Sequence, residues 1–200
     1  DHVRMIKDEK EKELMREASR LNDLAIDQVI QLCAKGNLTE IEVSKQVAGI
    51  FQSLGCSGNS FEPIVAYGAN GADGHHEGDD SLLKPGDSIV IDMGGIYQGY
   101  CSDMTRTVFY KEFSDEQRKV YDLVRKANEI AEAMIKPGVK LCDIDKAARD
   151  VISEAGYGEN FNHRLGHFIG RNVHEYGDVS AAFDMDCLLY TSPSPRDRSL

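Results

Sequence analysis

The feature of this sequence that most constrains its fold is the order of its elements, two amphipathic helices followed by several short strands. Apolar side chains recur every three or four residues over 8–35, which predicts one long helix. Thr39 and Glu42 then form a capping-box pattern that predicts the start of a second helix, ending at Gly55. Strand-like runs, separated by turns rich in glycine and aspartate, fill 61–110. Helices and strands in separate runs predict an α+β fold.

The same order begins again further along the chain. A capping-box pattern at Ser114 and Gln117 predicts a third helix that extends to about Lys136. A fourth helix is predicted over 143–155, and strand-like sequence resumes over 160–177. The halves share this structural order and little residue identity. The sequence therefore predicts a duplicated unit of helix, helix and strands, whose second half is incomplete.

The composition excludes several classes of protein. With 200 residues the chain can bury the core of one domain. A formal net charge of -11 argues against nucleic-acid and anionic-lipid partners, which select basic surfaces. No apolar run approaches the length of a membrane span, so we expect no membrane partner. The five cysteines lack C-x-x-C spacing, which favours reduced thiols and a cytoplasmic protein.

The last residues differ from the rest of the chain. Residues 187–200 contain two prolines and show no hydrophobic periodicity, and CLLYTSPSPRD can be back-translated to a transposase-type sequencing adapter. We therefore expect 1–186 to form a partial catalytic domain and 187–200 to be a non-native tail. A natural disordered terminus is the alternative, because its composition would be similar.

A hairpin over 88–110 carries two aspartates, Asp92 and Asp103, in otherwise apolar strands. Aspartate is uncommon in strands and is rarely buried without a partner. A hairpin of this size can bring both carboxylates to one face. Two like charges repel there unless a cation lies between them, and carboxylate oxygens suit a divalent metal. The alternative is that both are turn residues or lie on a solvated strand face.

Histidines supply candidate nitrogen ligands. His167 follows a glycine in a strand-like stretch and could complete a mixed oxygen and nitrogen site, although a single histidine is more often a hydrogen-bonded core residue. His174 would lie on the opposite pleat of one continuous strand unless a bulge intervenes. His75 and His76 lie in a glycine-rich loop, where we expect exposed side chains.

Three segments resemble the pita-bread metallopeptidases, a family that includes Xaa-Pro aminopeptidases, prolidases and methionine aminopeptidases. They are FEPIVAYGANGADGHHEGDD, GDSIVIDMGGIYQGYCSDMTRTV and HRLGHFIGRNVHE, and they occur in the order typical of the family. The resemblance covers about residues 4–186 and is nearer to the proline-directed branch. It implies the pita-bread fold and a metal-dependent exopeptidase that cleaves Xaa-Pro bonds at the N-terminus.

The resemblance also implies a site with two divalent metal ions, Mn in the first place and Co, Zn or Fe as alternatives. Asp92 would bind the first ion, Asp103 would bridge both and His167 would bind the second. A metal-bridged hydroxide would attack the scissile carbonyl. His75 would hold the substrate near the metals, and His174 would donate a hydrogen bond to the carbonyl oxygen.

Four further positions match residues with supporting roles: His163, Arg164, Thr105 and Arg106. The substrates implied are peptides with proline at the second position, and a homo-oligomeric parent protein is left open.

The sequence departs from the family pattern in ways that bear on activity. Two metal-binding glutamates that the family carries further along its chain have no counterpart here. Phe168 stands where glycine usually follows the ligand histidine, and Gly74 stands where proline is usual. We therefore expect this chain to be an inactive fragment of an active parent.

Two other functions share these features. A methionine aminopeptidase would use the same ligands, and a metal-free binding protein could use the same fold, since fold does not determine function. A creatinase-type hydrolase is disfavoured, because it lacks the metal-binding aspartates.

Overall fold

The computed structural model describes residues 2–187 and contains four α-helices, three short 3-10 helices and seven short strands in that range. They fall into two compact units. The first unit consists of Asp8–Ser114 together with Gly170–Val173. The second unit consists of residues 2–7, Asp115–Ile169 and 174–187. Each unit is described by itself below.

The first unit begins with the two predicted helices. Helix α1 spans Glu9–Ala34 and helix α2 spans Glu40–Ser53. Each starts with a complete capping box, at N-cap residues Asp8 and Thr39. In α2 the backbone N–H of Thr39 donates to the Glu42 carboxylate at 2.9 Å, as the sequence pattern predicts.

Five strands follow the helices in the first unit. They are β1 (Ile64–Tyr67), β2 (Ser88–Met93), β3 (Ile96–Tyr97), β4 (Tyr100–Cys101) and β5 (Met104–Phe109). Strands β1, β2 and β5 form an antiparallel sheet in that order, and β3 pairs with β4 inside the connection from β2 to β5.

Alternation along β2 separates a core face from a polar face. Ile89, Ile91 and Met93 are buried and join a core that includes Val29 of α1 and Phe51 of α2. The intervening side chains, Asp92 among them, lie on the other face of the sheet.

The turn after β2 depends on close backbone approach. A side chain at Gly94 would collide with the Ser102 carbonyl and the Ser60 hydroxyl. The same turn is held by hydrogen bonds from Ser60 N–H to the Gly94 carbonyl at 2.9 Å and from Gly95 N–H to Ser102 Oγ at 3.0 Å. Only glycine fits at 94 without moving this backbone.

The second unit repeats the order of helix, helix and strands. Its elements are α3 (Asp115–Met134), α4 (Leu141–Glu154), β6 (Gly166–Phe168) and β7 (Glu175–Val179). The observed helices agree with the predicted ranges to within two residues. Their core includes Ala127, Leu141, Ile144 and Phe168. Within residues 2–187 no helix is long and apolar enough to cross a membrane.

The cysteines and the end of the chain bear on two expectations. All five cysteines are free thiols, as the sequence predicts. Cys187 is buried in the second unit, and its backbone N–H donates to the Val139 carbonyl at 2.7 Å. The rest of the predicted tail, 188–200, lies outside the described residues, so its non-native origin stays a prediction.

We expect Gly94→Ala to lower the free energy of unfolding by about 1–3 kcal/mol, because the added methyl group overpacks the turn. Gly49→Ala is the matched control in the same unit, since Gly49 lies in α2 with open space around it. That change should stabilise the protein by about 0.5–1 kcal/mol. Urea unfolding of both variants makes the measurement, and equal midpoints would contradict the packing argument.

Candidate functional site

Asp92 lies near the end of β2 and is held by the neighbouring strand. It pairs with Thr105 of β5, whose hydroxyl donates to Asp92 Oδ1 at 2.8 Å. Both aspartates are partly buried, and Asp103 comes two residues before Thr105. Since Met93 and Met104 are paired and buried, alternation assigns Asp92 and Thr105 to the opposite face, and Asp103 directly precedes β5.

Continued by one residue before Met104, the same alternation would make the two carboxylates diagonal neighbours on one face of the sheet. Such positions are about 7–8 Å apart between Cα atoms, within reach of a shared ion. The donor set of Asp92 and Asp103 fits a hard divalent cation, because its atoms are carboxylate oxygens, one on β2 and one directly before β5.

Arg106 connects β5 with α1. Its guanidinium lies 3.7 Å from Asp23 Oδ1, and Nη1 donates to the Thr105 carbonyl at 2.9 Å. Arg106 thus lies in β5 directly after Thr105, and its contact with Asp23 can stabilise this strand against α1.

In the second unit, His167 and His174 lie side by side. Their ring centroids are 4.3 Å apart and the rings are tilted by 47°. The two histidines do not lie on one continuous strand. His167 is in β6, and His174 directly precedes β7. The two strands form an antiparallel hairpin with a register shift after His167.

The tautomer of His167 follows from its hydrogen bond. Its Nδ1 lies 3.2 Å from the Phe168 carbonyl, which can only accept, so Nδ1 carries the proton. In the neutral ring Nε2 then has the lone pair that a metal ligand needs. His163 Nδ1 makes the same contact with the Arg164 carbonyl at 2.8 Å.

Two neighbours of His167 are accounted for by packing and charge. The Phe168 side chain is buried in the core of the second unit, against Gly177, so its bulk is taken up there. The Nε atom of Arg164 lies 3.3 Å from Oδ1 of Asp178 in β7, which forms an ion pair. The Glu175 carboxylate pairs with Lys7 at 3.1 Å.

A buried carboxylate on α4, which sequence reasoning missed, holds the segment before β6. Asp145 is 0% exposed and accepts from the Arg149 guanidinium at 2.9 and 3.0 Å. It also accepts from the Leu165 backbone N–H at 3.0 Å. Arg149 in turn donates to the carbonyls of Phe161 and His163 at 2.6 and 2.9 Å. The pair therefore positions the segment that carries His163 and leads to His167.

The His75 loop, residues 68–78, contains the other histidine pair. His75 is exposed as expected, and its backbone N–H donates to Asp73 at 2.9 Å. The expectation of exposure is wrong for His76, whose side chain is 14% exposed because Nε2 contacts the buried Glu40 carboxylate at 2.6 Å. This hydrogen bond raises the pKa of His76, while a hydrogen bond from Ser81 lowers the pKa of Asp79.

Within residues 2–187, the ligand atoms of Glu40, His76 and Asp79 lie within 4.8 Å of one another, a grouping that could hold a metal ion. Sequence reasoning missed Glu40 and Asp79. A glutamate in the first turn of a helix is also what the helix dipole alone would select, so no local signal distinguished Glu40.

Comparison with known proteins identifies the family. Metallopeptidase family M24 matches residues 13–191 of the chain. The chain belongs to this family. An uncharacterized peptidase of Staphylococcus aureus (strain USA300) is 41% identical over 179 residues, which cover 90% of the chain and 51% of the relative. The M24 chain thus spans about half the length of the curated relatives it matches.

Solved structures of the same type confirm the fold. The X-Pro aminopeptidase from Thermotoga maritima has a TM-score of 0.90 at 37% identity, over 95% of this chain and 54% of that one. The prolidase from Pyrococcus furiosus has a TM-score of 0.87 at 32% identity, over 92% of this chain and 55% of that one. The expected pita-bread family and α+β fold are therefore confirmed for this M24 chain.

The roles of individual residues in this M24 chain stay predictions. In the first unit Asp92 lies in β2 and Asp103 directly precedes its partner strand β5, and in the second unit the rings of His167 and His174 lie together. The metal ligands, the substrate-binding histidines and the supporting residues named from the resemblance are carried forward as proposals.

We expect Arg149→Met to lower the free energy of unfolding by roughly 3 kcal/mol, because it leaves the buried Asp145 charge without its main partner. The matched control is Lys146→Met on the same helix, which breaks an exposed pair with Asp150. That pair should contribute less than about 1 kcal/mol. Urea unfolding compares the two variants, and equal losses would contradict an anchoring role for Asp145.

Proposed function

We propose that the full-length protein carrying this chain is a metal-dependent exopeptidase that cleaves Xaa-Pro bonds at the N-terminus of peptides. The observation that carries the proposal is that Asp92 lies on the polar face of β2 and Asp103 directly precedes the paired strand β5, in an M24 chain. Likeness to an X-Pro aminopeptidase and to prolidases supports the proline-directed branch.

Asp92, Asp103 and His167 would hold divalent metal ions, with Mn as the first choice and Co, Zn or Fe as alternatives. Bound ions would polarise the scissile carbonyl and supply a nucleophilic water near neutral pH. Thr105 would orient the Asp92 carboxylate through its 2.8 Å hydrogen bond. His167 would present Nε2, because Nδ1–H donates to the Phe168 carbonyl.

Two histidines would act on the substrate. The exposed His75 would hold the peptide near the metals. His174 would donate a hydrogen bond to the carbonyl oxygen as negative charge develops on it, which is electrostatic stabilisation. His163, Arg164, Thr105 and Arg106 would keep these groups in place.

We also propose the substrates, the excluded partners and the location of the full-length protein. The substrates are short peptides with proline at the second position, and the acidic charge of the chain argues against nucleic-acid and anionic-membrane partners. The free thiols fit a cytoplasmic location.

We expect the full-length protein, loaded with Mn, to hydrolyse Xaa-Pro peptides with a kcat/KM roughly tenfold or more above that for a Met-Ala peptide. Asp103→Asn should lower kcat/KM by about 100-fold or more, because it removes a ligand rather than a group that merely orients one. Peptide hydrolysis before and after chelation makes the measurement.

The control variant is Asp27→Asn, which changes an exposed aspartate of α1. Preference for the Met-Ala peptide would point to a methionine aminopeptidase instead. A full-length protein that is purified without transition metal and stays inactive with added Mn would be a binding protein on the same fold, and the proposal would be wrong.

For the 200-residue chain alone we expect at most feeble peptidase activity. Asp92, Asp103 and His167 supply fewer ligands than two metal ions require, so metal affinity should be low. Isothermal titration with Mn and a sensitive Xaa-Pro assay test this expectation. Turnover by this chain that Asp103→Asn abolishes would contradict it.

A further inference from the structure

Glu40 is a buried acidic side chain to which the proposed mechanism gives no role. It is the first residue of α2 and its side chain is 0% exposed. A buried carboxylate is costly unless hydrogen bonds replace its water. The first turn of a helix also favours negative charge, because its backbone N–H groups point toward the N-terminus.

The Glu40 carboxylate accepts from donors at both ends of the His75 loop. Oε1 takes the Tyr67 backbone N–H at 2.6 Å and the Asn70 amide at 3.0 Å, at the start of the loop. Oε2 takes His76 Nε2 at 2.6 Å and the Asp79 backbone N–H at 3.0 Å, at its end. The Glu40 side chain thus binds Tyr67 and Asp79, which flank the loop, and Asn70 and His76 within it.

The loop also binds the helix in return. The Asp79 carbonyl accepts from the Ile41 backbone N–H at 3.3 Å, which satisfies a donor in the first turn of α2. Gly78 lies against the same turn, so that a side chain there would touch Glu40 at 3.4 Å. The loop and the start of α2 are therefore in van der Waals contact as well as hydrogen-bonded.

A metal ion bound by Glu40, His76 and Asp79 is the competing interpretation. The two Glu40 oxygens together accept four hydrogen bonds. Two of these come from backbone N–H groups, whose positive ends would repel a cation bound at the same oxygens. His76 Nε2 acts as a donor to Glu40, so this nitrogen would have to lose its proton before it could bind a metal. The geometry favours a hydrogen-bonded anchor.

We propose that Glu40 is a positioning residue whose carboxylate fixes the His75 loop at both ends and so sets the place of His75. His75 directly precedes His76, which with Asn70 is one of two loop side chains that contact Glu40. The consequence for substrate binding rests on the proposed function, whereas the ordering of the loop does not.

The charges around His76 make the anchor measurable. Glu40 on α2 and Asp73 and Asp79 of the loop region face the ring, and the Glu40 hydrogen bond is the largest cause of its raised pKa. A raised pKa means that the charged pair stabilises the fold fully below the ordinary pKa of histidine. That contribution is lost as pH rises through the higher pKa of the folded state.

The experiment compares Glu40→Gln with Glu42→Gln in the full-length protein. Glu42 is the matched control because it lies in the same first turn but binds the Thr39 N–H and not the loop. In Glu40→Gln we expect amide exchange over 67–79 to become about tenfold faster, since backbone hydrogen bonds to the carboxylate are weakened. The pKa of His76, followed by NMR, should fall toward its ordinary value. Glu42→Gln should leave both unchanged.

The activity readout separates positioning from metal binding. Glu40→Gln should raise KM for an Xaa-Pro peptide about tenfold, a loss of about 1.4 kcal/mol, with little change in bound metal. Glu42→Gln should leave KM unchanged. If the wild-type protein has no peptidase activity, the proposed function fails, while exchange and the His76 pKa still test the anchor.

His76→Phe keeps the test decisive if Glu40→Gln does not fold. It removes the ring donor to Oε2 and leaves the Tyr67 contact with Oε1. Exchange should then become faster over 73–79 and stay slow at Tyr67. Wild-type exchange over 73–79 in His76→Phe, or over 67–79 in a folded Glu40→Gln, would overturn the proposal. So would Mn or Zn binding that shifts His76 signals and disappears in Glu40→Gln, because the group would then be a metal site.

Discussion

A buried carboxylate is stable only when hydrogen-bond donors surround it, and in each unit one such carboxylate fixes the position of a neighbouring segment. In the first unit Glu40 of α2 meets this requirement with the backbone N–H groups of Tyr67 and Asp79. In the second unit Asp145 of α4 meets it with the Leu165 N–H and the Arg149 guanidinium. Each carboxylate comes from the second helix of its unit, and each holds a segment that carries histidine. Because the penalty of an unsatisfied charge is large, these segments have little freedom to move away.

The two kinds of candidate site residue are positioned by different means. Asp92 is held by sheet register, since its strand pairs on both sides with β1 and β5. A shift by one residue would turn Asp92 into the core and Ile91 out of it, so hydrophobic burial specifies its direction. Loop residues such as His75 have no register. Their position has to come from side-chain contacts, which explains why an anchor is needed beside a loop and not beside the hairpin.

These two means of positioning also decide what the sequence could predict. Helix periodicity and the Thr39 capping box predicted the helices, and the strand pattern of 88–110 predicted the strand that carries Asp92 and its pairing with β5. The role of Glu40 was not predicted because its partners are distant in sequence: it bonds to Tyr67 and His76, which are 27 and 36 positions away. In sequence it reads as an ordinary first-turn glutamate. His76 was expected to be exposed for the same reason, since loop composition contains no information about a carboxylate on another element.

The anchors also bear on how the motifs of this family should be interpreted. A motif match assigns chemistry to Asp92, Asp103, His75, His167 and His174, yet the chemistry of a histidine depends on where its ring is held. A ligand held by strand pairing loses its place only if the sheet rearranges, which requires loss of the core of the first unit. A loop histidine can be displaced by the loss of one distant carboxylate while every motif residue remains. Chains that keep the motifs and lack the carboxylate at position 40 should therefore bind metal normally and bind substrate poorly.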